Sequence, residues 1–206
     1  YKIHQMAVGL HPNPAGLLLD KALRAVYKPI THYCHDPSHT MWISGVFNTL
    51  FYVACETLVM GGKGPYEGIE LHLNGWVLPH ECGGKSDALK DVFSSKRVNS
   101  WRKAKHIKCS GSDALGLYRL LNVYFTLYVA PGFPRVCEAI ATFTLLADLM
   151  CEQAYRNVTS VELMNAMRAF LLAFKRTGWA AYMHPKFHRL WHFAKILLEL
   201  CLMPNC

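Results

Sequence analysis

The sequence predicts a mainly α-helical protein, with a short strand-bearing segment near its start. Three observations predict it. Apolar residues recur at three- and four-residue spacing along most of the chain after residue 41. Helix-starting and helix-stopping residues stand between those stripes: Ser110 with Asp113, Thr159 with Glu162, and Gly61, Pro131 and Gly178 as breaks. Hydrophobic residues make up 52% of the 206 and charged residues 17%. That is ample material for one buried core, and too apolar a balance for disorder.

Taken in order, residues 1–13 are irregular, and Asn13-Pro14 opens a helix over 15–26. Residues 27–33 are expected as a strand, because Pro29 disfavours helix on both sides of itself. The run Thr31-His32-Tyr33-Cys34-His35-Asp36-Pro37-Ser38-His39-Thr40 follows. A carboxylate at a strand end, just before a helix, is a common address for a metal-binding or catalytic acid. Asp36 is the candidate carboxylate, and His39 its orienting partner. The alternative is a polar turn in which Asp36 caps the next helix and the histidines are solvated.

Residues 41–60 form an apolar run with Glu56 as its single charge, expected as one helix of about twenty residues. A membrane span has to be weighed at that length. Asn48, Glu56 and the lack of flanking basic residues favour a core helix. Residues 61–86 are expected to be loop-rich, with 69–77 undecided between strand and helix. Gly83-Gly84-Lys85-Ser86 is not a phosphate loop, since Pro79 stands where that pattern needs glycine.

Residues 94–108 carry Lys96, Arg97, Arg102, Lys103, Lys105 and Lys108 and no acid, with Trp101 in the middle. Cations interleaved with an aromatic make this stretch the nucleic-acid-contact candidate, and it is expected to face solvent. A plain solvated basic face is the alternative. The net charge of +8 and the sequence pI of about 9.1 favour a phosphate-bearing or anionic partner.

Four helices are expected next. Their apolar faces are Leu115, Tyr118, Leu121, Phe125 and Tyr128; Val136, Ile140, Phe143, Leu146 and Met150; Leu163, Met164, Met167, Phe170, Leu171 and Phe174; and Phe187, Leu190, Trp191, Ala194, Leu197 and Leu198. His184, His188 and His192 recur every four residues, a spacing that can bind zinc, although no completing ligand is identifiable. The eight scattered cysteines contain no CxxC pair and suggest reduced, intracellular thiols. Tyr1 at the start and Pro204-Asn205-Cys206 at the end suggest a piece of a longer chain.

The run from Val26 to Thr40 with Asp36-Pro37-Ser38-His39 in it, the segment Asp91–Val98 followed by Ile107-Lys108-Cys109-Ser110, and the run Met183–His192 with Pro185-Lys186-Phe187-His188-Arg189-Leu190-Trp191-His192 in it stand in this order. Together they resemble DDE/D-type transposases with a ribonuclease H-like fold, in the flavour of the CACTA and hAT families. The resemblance covers most of residues 27–206. It implies a helical insertion domain attached to a fragment of an α/β ribonuclease H-like core. Residues 1–45 would hold the partial core and 46–206 the insertion.

Asp36 would be the second catalytic acid and His39 the histidine that follows it. Mg²⁺ or Mn²⁺ would serve the intact protein, and DNA would be the partner. No membrane, self-association of the intact protein, and a nuclear location in a eukaryote complete the expectation. The chain departs from the family at Pro37 and Ser38, where bulky apolar residues are usual. The first and third acids would lie outside it. One carboxylate of three cannot hold a two-metal site, so this piece is expected to be inactive alone. The rival readings are a non-catalytic helical DNA- or protein-binding module, such as a domesticated transposon remnant, and a helical membrane protein.

Overall fold

The computed structural model describes residues 37–76, 86–152 and 158–200, with side chains described except at 86–88 and 194–200. The architecture is mainly helical, and among the described residues there is no strand. The expected strand at 27–33 and its terminal Asp36 lie outside the described residues.

The chain enters as α1 (Pro37–Met41) and continues as α2 (Val46–Met60). The single helix expected over 41–60 is therefore two pieces, and the first begins at Pro37 rather than Met41. The reason lies in Ser44-Gly45. Ser44 takes φ 49°, a left-handed conformation. A Cβ on Gly45 would meet the Thr40 carbonyl oxygen at 2.4 Å and the Met41 carbonyl oxygen at 2.7 Å. Only glycine lets the chain double back that closely. Asn48 then caps the restart by accepting the Gly45 N–H at its Oδ1, 2.8 Å away.

α2 is the central element. Eleven of its fifteen residues, from Val46 to Cys55 together with Leu58, are buried. The segment Pro37–Met60 is long and apolar enough, by length and composition, to cross a membrane. Here the apolar surface of α2 is covered by other helices, as expected for a core helix that is hydrophobic all round. Gly61 closes it by donating to the Thr57 carbonyl at 3.0 Å, and Gly62 turns the chain at φ +75°.

α3 (Pro65–Asn74) occupies part of the stretch expected to be loop. Pro65 suits its first turn, and Tyr66, Ile69 and Leu73 form its buried stripe. Gly68 hides this helix from pattern reading. Its missing Cβ makes room for the Tyr124 hydroxyl, which would stand 2.4 Å from that atom. α4 (Ser86–Asp91) and α5 (Ser95–Ala104) lead into α6 (Gly111–Tyr124). Ser110 Oγ accepts from the Asp113 N–H at 3.1 Å, and Asp113 Oδ2 accepts from the Ser110 N–H at 3.0 Å.

α6 runs into a π-helical turn at Phe125–Val129, closed by Ala130 N–H to the Phe125 carbonyl at 2.9 Å. The extra residue rotates the stripe. Leu127 and Tyr128 come out 60% and 64% exposed, although Tyr128 was expected inside. Leu115 is exposed too, and Ala114, Leu117 and Tyr124 take the inner face.

α7 (Pro134–Glu152), α8 (Ser160–Arg176) and α9 (Pro185–Leu200) complete the core, α8 packing between the other two. The expected stripe of α7 is buried throughout. On α8 all but Met164 of the expected residues are buried. On α9 Trp191 is 39% exposed, and Phe193 is fully buried in the core. A 3₁₀ turn (Trp179–Tyr182) follows Gly178, at φ +88°, between α8 and α9.

Phe143 is the hub of the aromatic interior. Its ring lies 5.4 to 6.4 Å from those of Trp42, Phe47, Phe51 and Phe170. These pairs add edge-on attraction to the burial of apolar area. Phe143→Ala is expected to cost about 3–5 kcal/mol of unfolding free energy. Urea titration of both proteins measures it; a loss within ~0.5 kcal/mol, as at a surface site, would show that Phe143 is not the hub.

Candidate functional site

The basic stretch forms α5 and the turn after it. Val98 and Trp101 point inward, and Trp101 is 1% exposed. Its ring meets Phe93 edge-on at 5.1 Å and Tyr66 at 6.3 Å. Trp101 therefore cannot offer its face to a base. It anchors the helix, and its Nε1 has no partner among the described residues.

The six cations divide into two groups. The two arginines are held by the protein. Arg97 Nη1 donates to Asp91 Oδ2 at 3.3 Å, and Arg97 Nη2 to the Lys108 carbonyl at 3.4 Å. Arg102 Nε donates to Glu56 Oε1 at 3.1 Å, and its guanidinium sits 5.4 Å from the centre of the Tyr66 ring. Tyr66 donates its hydroxyl to the same Glu56 oxygen at 2.6 Å. Burial first, and then Cys55 and Glu56 nearby, push the Tyr66 hydroxyl pKa up, so it stays a donor. The hydrogen bond to Glu56 holds the Arg102 guanidinium above its ordinary pKa.

The lysines face outward. Lys96, Lys103, Lys105 and Lys108 are exposed. Lys96 and Lys103 share a helix face with exposed Asn99 and Ser100, by their spacing of three, four and seven. Lys105 follows at φ 56°, ending the helix in the left-handed region. Lys108 Nζ donates to Ser100 Oγ at 3.3 Å, which keeps it beside this face. Lys96, Lys103 and Lys105 show no ion pair among the described residues.

The histidine row does not stay together. His188 and His192 pack edge to face on α9, their ring centres 5.1 Å apart. His184 precedes α9 and turns into the protein. Its Nε2 lies 3.0 Å from Thr49 Oγ1, and its Nδ1 accepts from the Lys186 N–H at 3.3 Å. Because Nδ1 accepts, Nε2 carries the proton and donates to Thr49, whose hydroxyl donates on to the Gly45 carbonyl at 3.4 Å. Burial, and then Lys186, His106 and Arg189, bring the His184 pKa down to about 4.

His39 lies exposed on α1, which packs against α9, while Asp36 falls outside the described residues. Among the described residues no three His, Cys, Asp or Glu side chains converge to hold a metal ion. The divalent ion that the resemblance implies therefore finds no ligand set there. Sequence reasoning missed the Glu56–Tyr66–Arg102 cluster. Its signal was a lone carboxylate in an apolar helix, which needs a buried partner.

A second surface feature also escaped the sequence. His72 contacts Trp76, Tyr124 and Tyr128 at ring distances of 5.5 to 5.8 Å, and Trp76 Nε1 donates to His72 Nε2 at 3.0 Å. Comparison with protein-family models, with curated proteins and with solved structures finds no match.

His184 makes stability depend on pH. Its folded pKa lies below the ordinary 6.5, so below that value the unfolded chain binds a proton that the folded chain refuses. Stability is then lost as pH falls from about 6.5 toward about 4, by about 1–2 kcal/mol once solvent screening of the partly exposed ring is allowed for. His184→Gln is expected to lose this dependence while keeping polar contacts. Urea midpoints of both proteins between those pH values measure it; parallel pH profiles would show that His184 is not the titrating group.

Proposed function

We propose that this chain is the helical part of a transposase-like protein, built around a ribonuclease H-like core, that acts in metal-dependent DNA cleavage and strand transfer. Its own share of that work is DNA contact through α5. The supporting observation is the division of the basic stretch, with arginines docked on the protein and lysines presented to solvent. The helical character of the described residues between 46 and 200 accords with an insertion region. The order of the Asp36–His39, Ile107–Ser110 and Pro185–His192 segments supports the family resemblance. DNA would be met inside the cell, in the nucleus of a eukaryote.

No step is assigned here to Mg²⁺ or Mn²⁺, because the ligand set is not assembled among the described residues. A non-catalytic helical DNA-binding module is the second reading, favoured by the same lysine face, which needs no chemistry to act.

Reversing charge at Lys96, Lys103 and Lys105 to Glu is expected to weaken binding to a labelled duplex and to flatten its salt dependence. Each lost phosphate contact lowers the slope of log K against log salt by about 0.9, so three lower it by roughly 2–3. Fluorescence anisotropy across a salt series measures this, with helicity by circular dichroism as the control for folding. An unchanged slope would remove α5 from any DNA site.

The chain alone is expected to show no cleavage of transposon-end DNA with Mg²⁺ or Mn²⁺. One carboxylate, Asp36, leaves a divalent ion mostly hydrated and weakly held. Gel analysis of labelled DNA tests it. Cleavage that Asp36→Ala abolishes would mean that a complete acid set lies within these residues.

A further inference from the structure

We propose that the α5 face grips the phosphate backbone of duplex DNA without selecting base sequence. The proposal rests on the DNA-contact reading and gives it a substrate class. Sequence-specific proteins most often read guanine with a bidentate arginine fork. Both arginines of this stretch already have partners within the protein, Arg97 through both Nη atoms and Arg102 through its Nε. Arg97 spans Asp91 and the Lys108 carbonyl, and Arg102 spans Glu56 and the Tyr66 ring. The exposed cations with no acidic partner among the described residues are lysines, compact point charges on flexible stems that suit phosphate oxygens of any sequence.

The spacing fits a strand of duplex. Lys96 and Lys103 stand two turns apart, about 10 Å along the helix at 1.5 Å per residue. Phosphates of one strand advance about 3.4 Å each along the duplex axis and also wind around it, so they stand farther apart than that rise, and two flexible lysine stems set this far apart can reach separate phosphates. Lys105 follows at the helix end, and Lys108 folds its ammonium back to Ser100, between Lys96 and Lys103 along the helix. A lipid surface fits less well. A helix lying on a membrane inserts an apolar face. The apolar residues of α5, Val98 and Trp101, are buried in the protein core instead. Asn99 is the one side chain on the face whose amide could pair with a base edge, so the test includes it.

Anisotropy titrations of the whole chain against several unrelated duplexes of equal length test the proposal, with Asn99→Ala and Arg97→Lys/Arg102→Lys beside the unaltered protein. The lysine substitutions keep charge and remove the fork. Affinities are expected to agree within about tenfold across sequences, where base-reading proteins separate them by ~10³ or more. Neither variant is expected to change the order of affinities or the salt slope.

A preference beyond tenfold that either variant abolishes would overturn the proposal while leaving DNA contact intact. Absence of salt-dependent binding to every duplex would overturn the DNA reading itself. Binding to vesicles of anionic phospholipid in place of duplex would do so too, and would assign the face to a membrane surface.

Discussion

Two adjacent polar residues in the most apolar helix hold the arrangement together. Asn48 is 0% exposed, yet each of its side-chain groups is used. Its Oδ1 takes the Gly45 N–H, and its Nδ2 donates to the Ile107 carbonyl at 2.8 Å. Its backbone carbonyl accepts the Ile107 N–H at 3.0 Å. Thr49 beside it takes His184. One turn of α2 therefore fixes the α1–α2 break, the chain leaving α5, and the start of α9. A buried amide group left without a partner costs about twice what a satisfied one contributes. These contacts consequently form as a set, and they settle which segments meet in a core that apolar packing alone would leave loosely specified.

A second ring of polar contacts sits around this one and mounts the basic helix. Glu56 lies two turns along α2 from Asn48. It receives Tyr66 from α3 and Arg102 from α5, so three helices meet at one carboxylate oxygen. On another helix pair, Asp148 takes Tyr118 at 2.7 Å and Arg119 at 2.8 Å, tying α6 to α7 in the same manner. In both clusters a tyrosine kept protonated by burial shares a carboxylate with an arginine at the rim. Exposed ion pairs contribute little by themselves. Here the tyrosine hydroxyl, shielded from water, supplies the directional part.

The helical class and the long helices were legible because their stripes have the right period and their caps use side chains. Ser110 with Asp113 and Thr159 with Glu162 state their own boundaries. What escaped the sequence were departures from regular period. A glycine filled by a tyrosine hydroxyl concealed α3, a one-residue π turn rotated the stripe of α6, and the close approach at Gly45 split the longest run. Each depends on an atom from a distant segment, which local spacing does not encode.

The basic stretch shows the same limit. Its charge was plain in the sequence, and its orientation was not. Trp101 looked like a stacking residue among cations and proved to be the anchor. Lys96 and Lys103, on the far side of the same helix, carry the outward charge. The histidine row failed similarly, because Pro185 starts α9 one residue after His184 and leaves that ring free to turn toward Thr49. For Asp36 the local reading as turn or catalytic acid stays as the sequence left it.

Trp101 and the two docked arginines have a consequence for the thermodynamics of any encounter with a polyanion. The helix that presents the lysines is already folded and pinned at both ends, so association orders side-chain tips and leaves the backbone as it was. Little apolar surface is exposed on that face to be covered. Association of this kind carries a small heat-capacity change and an enthalpy nearly constant with temperature, unlike the coupled folding of a disordered basic tail. Its driving force is the release of small ions to bulk solution, an entropy gained outside the protein.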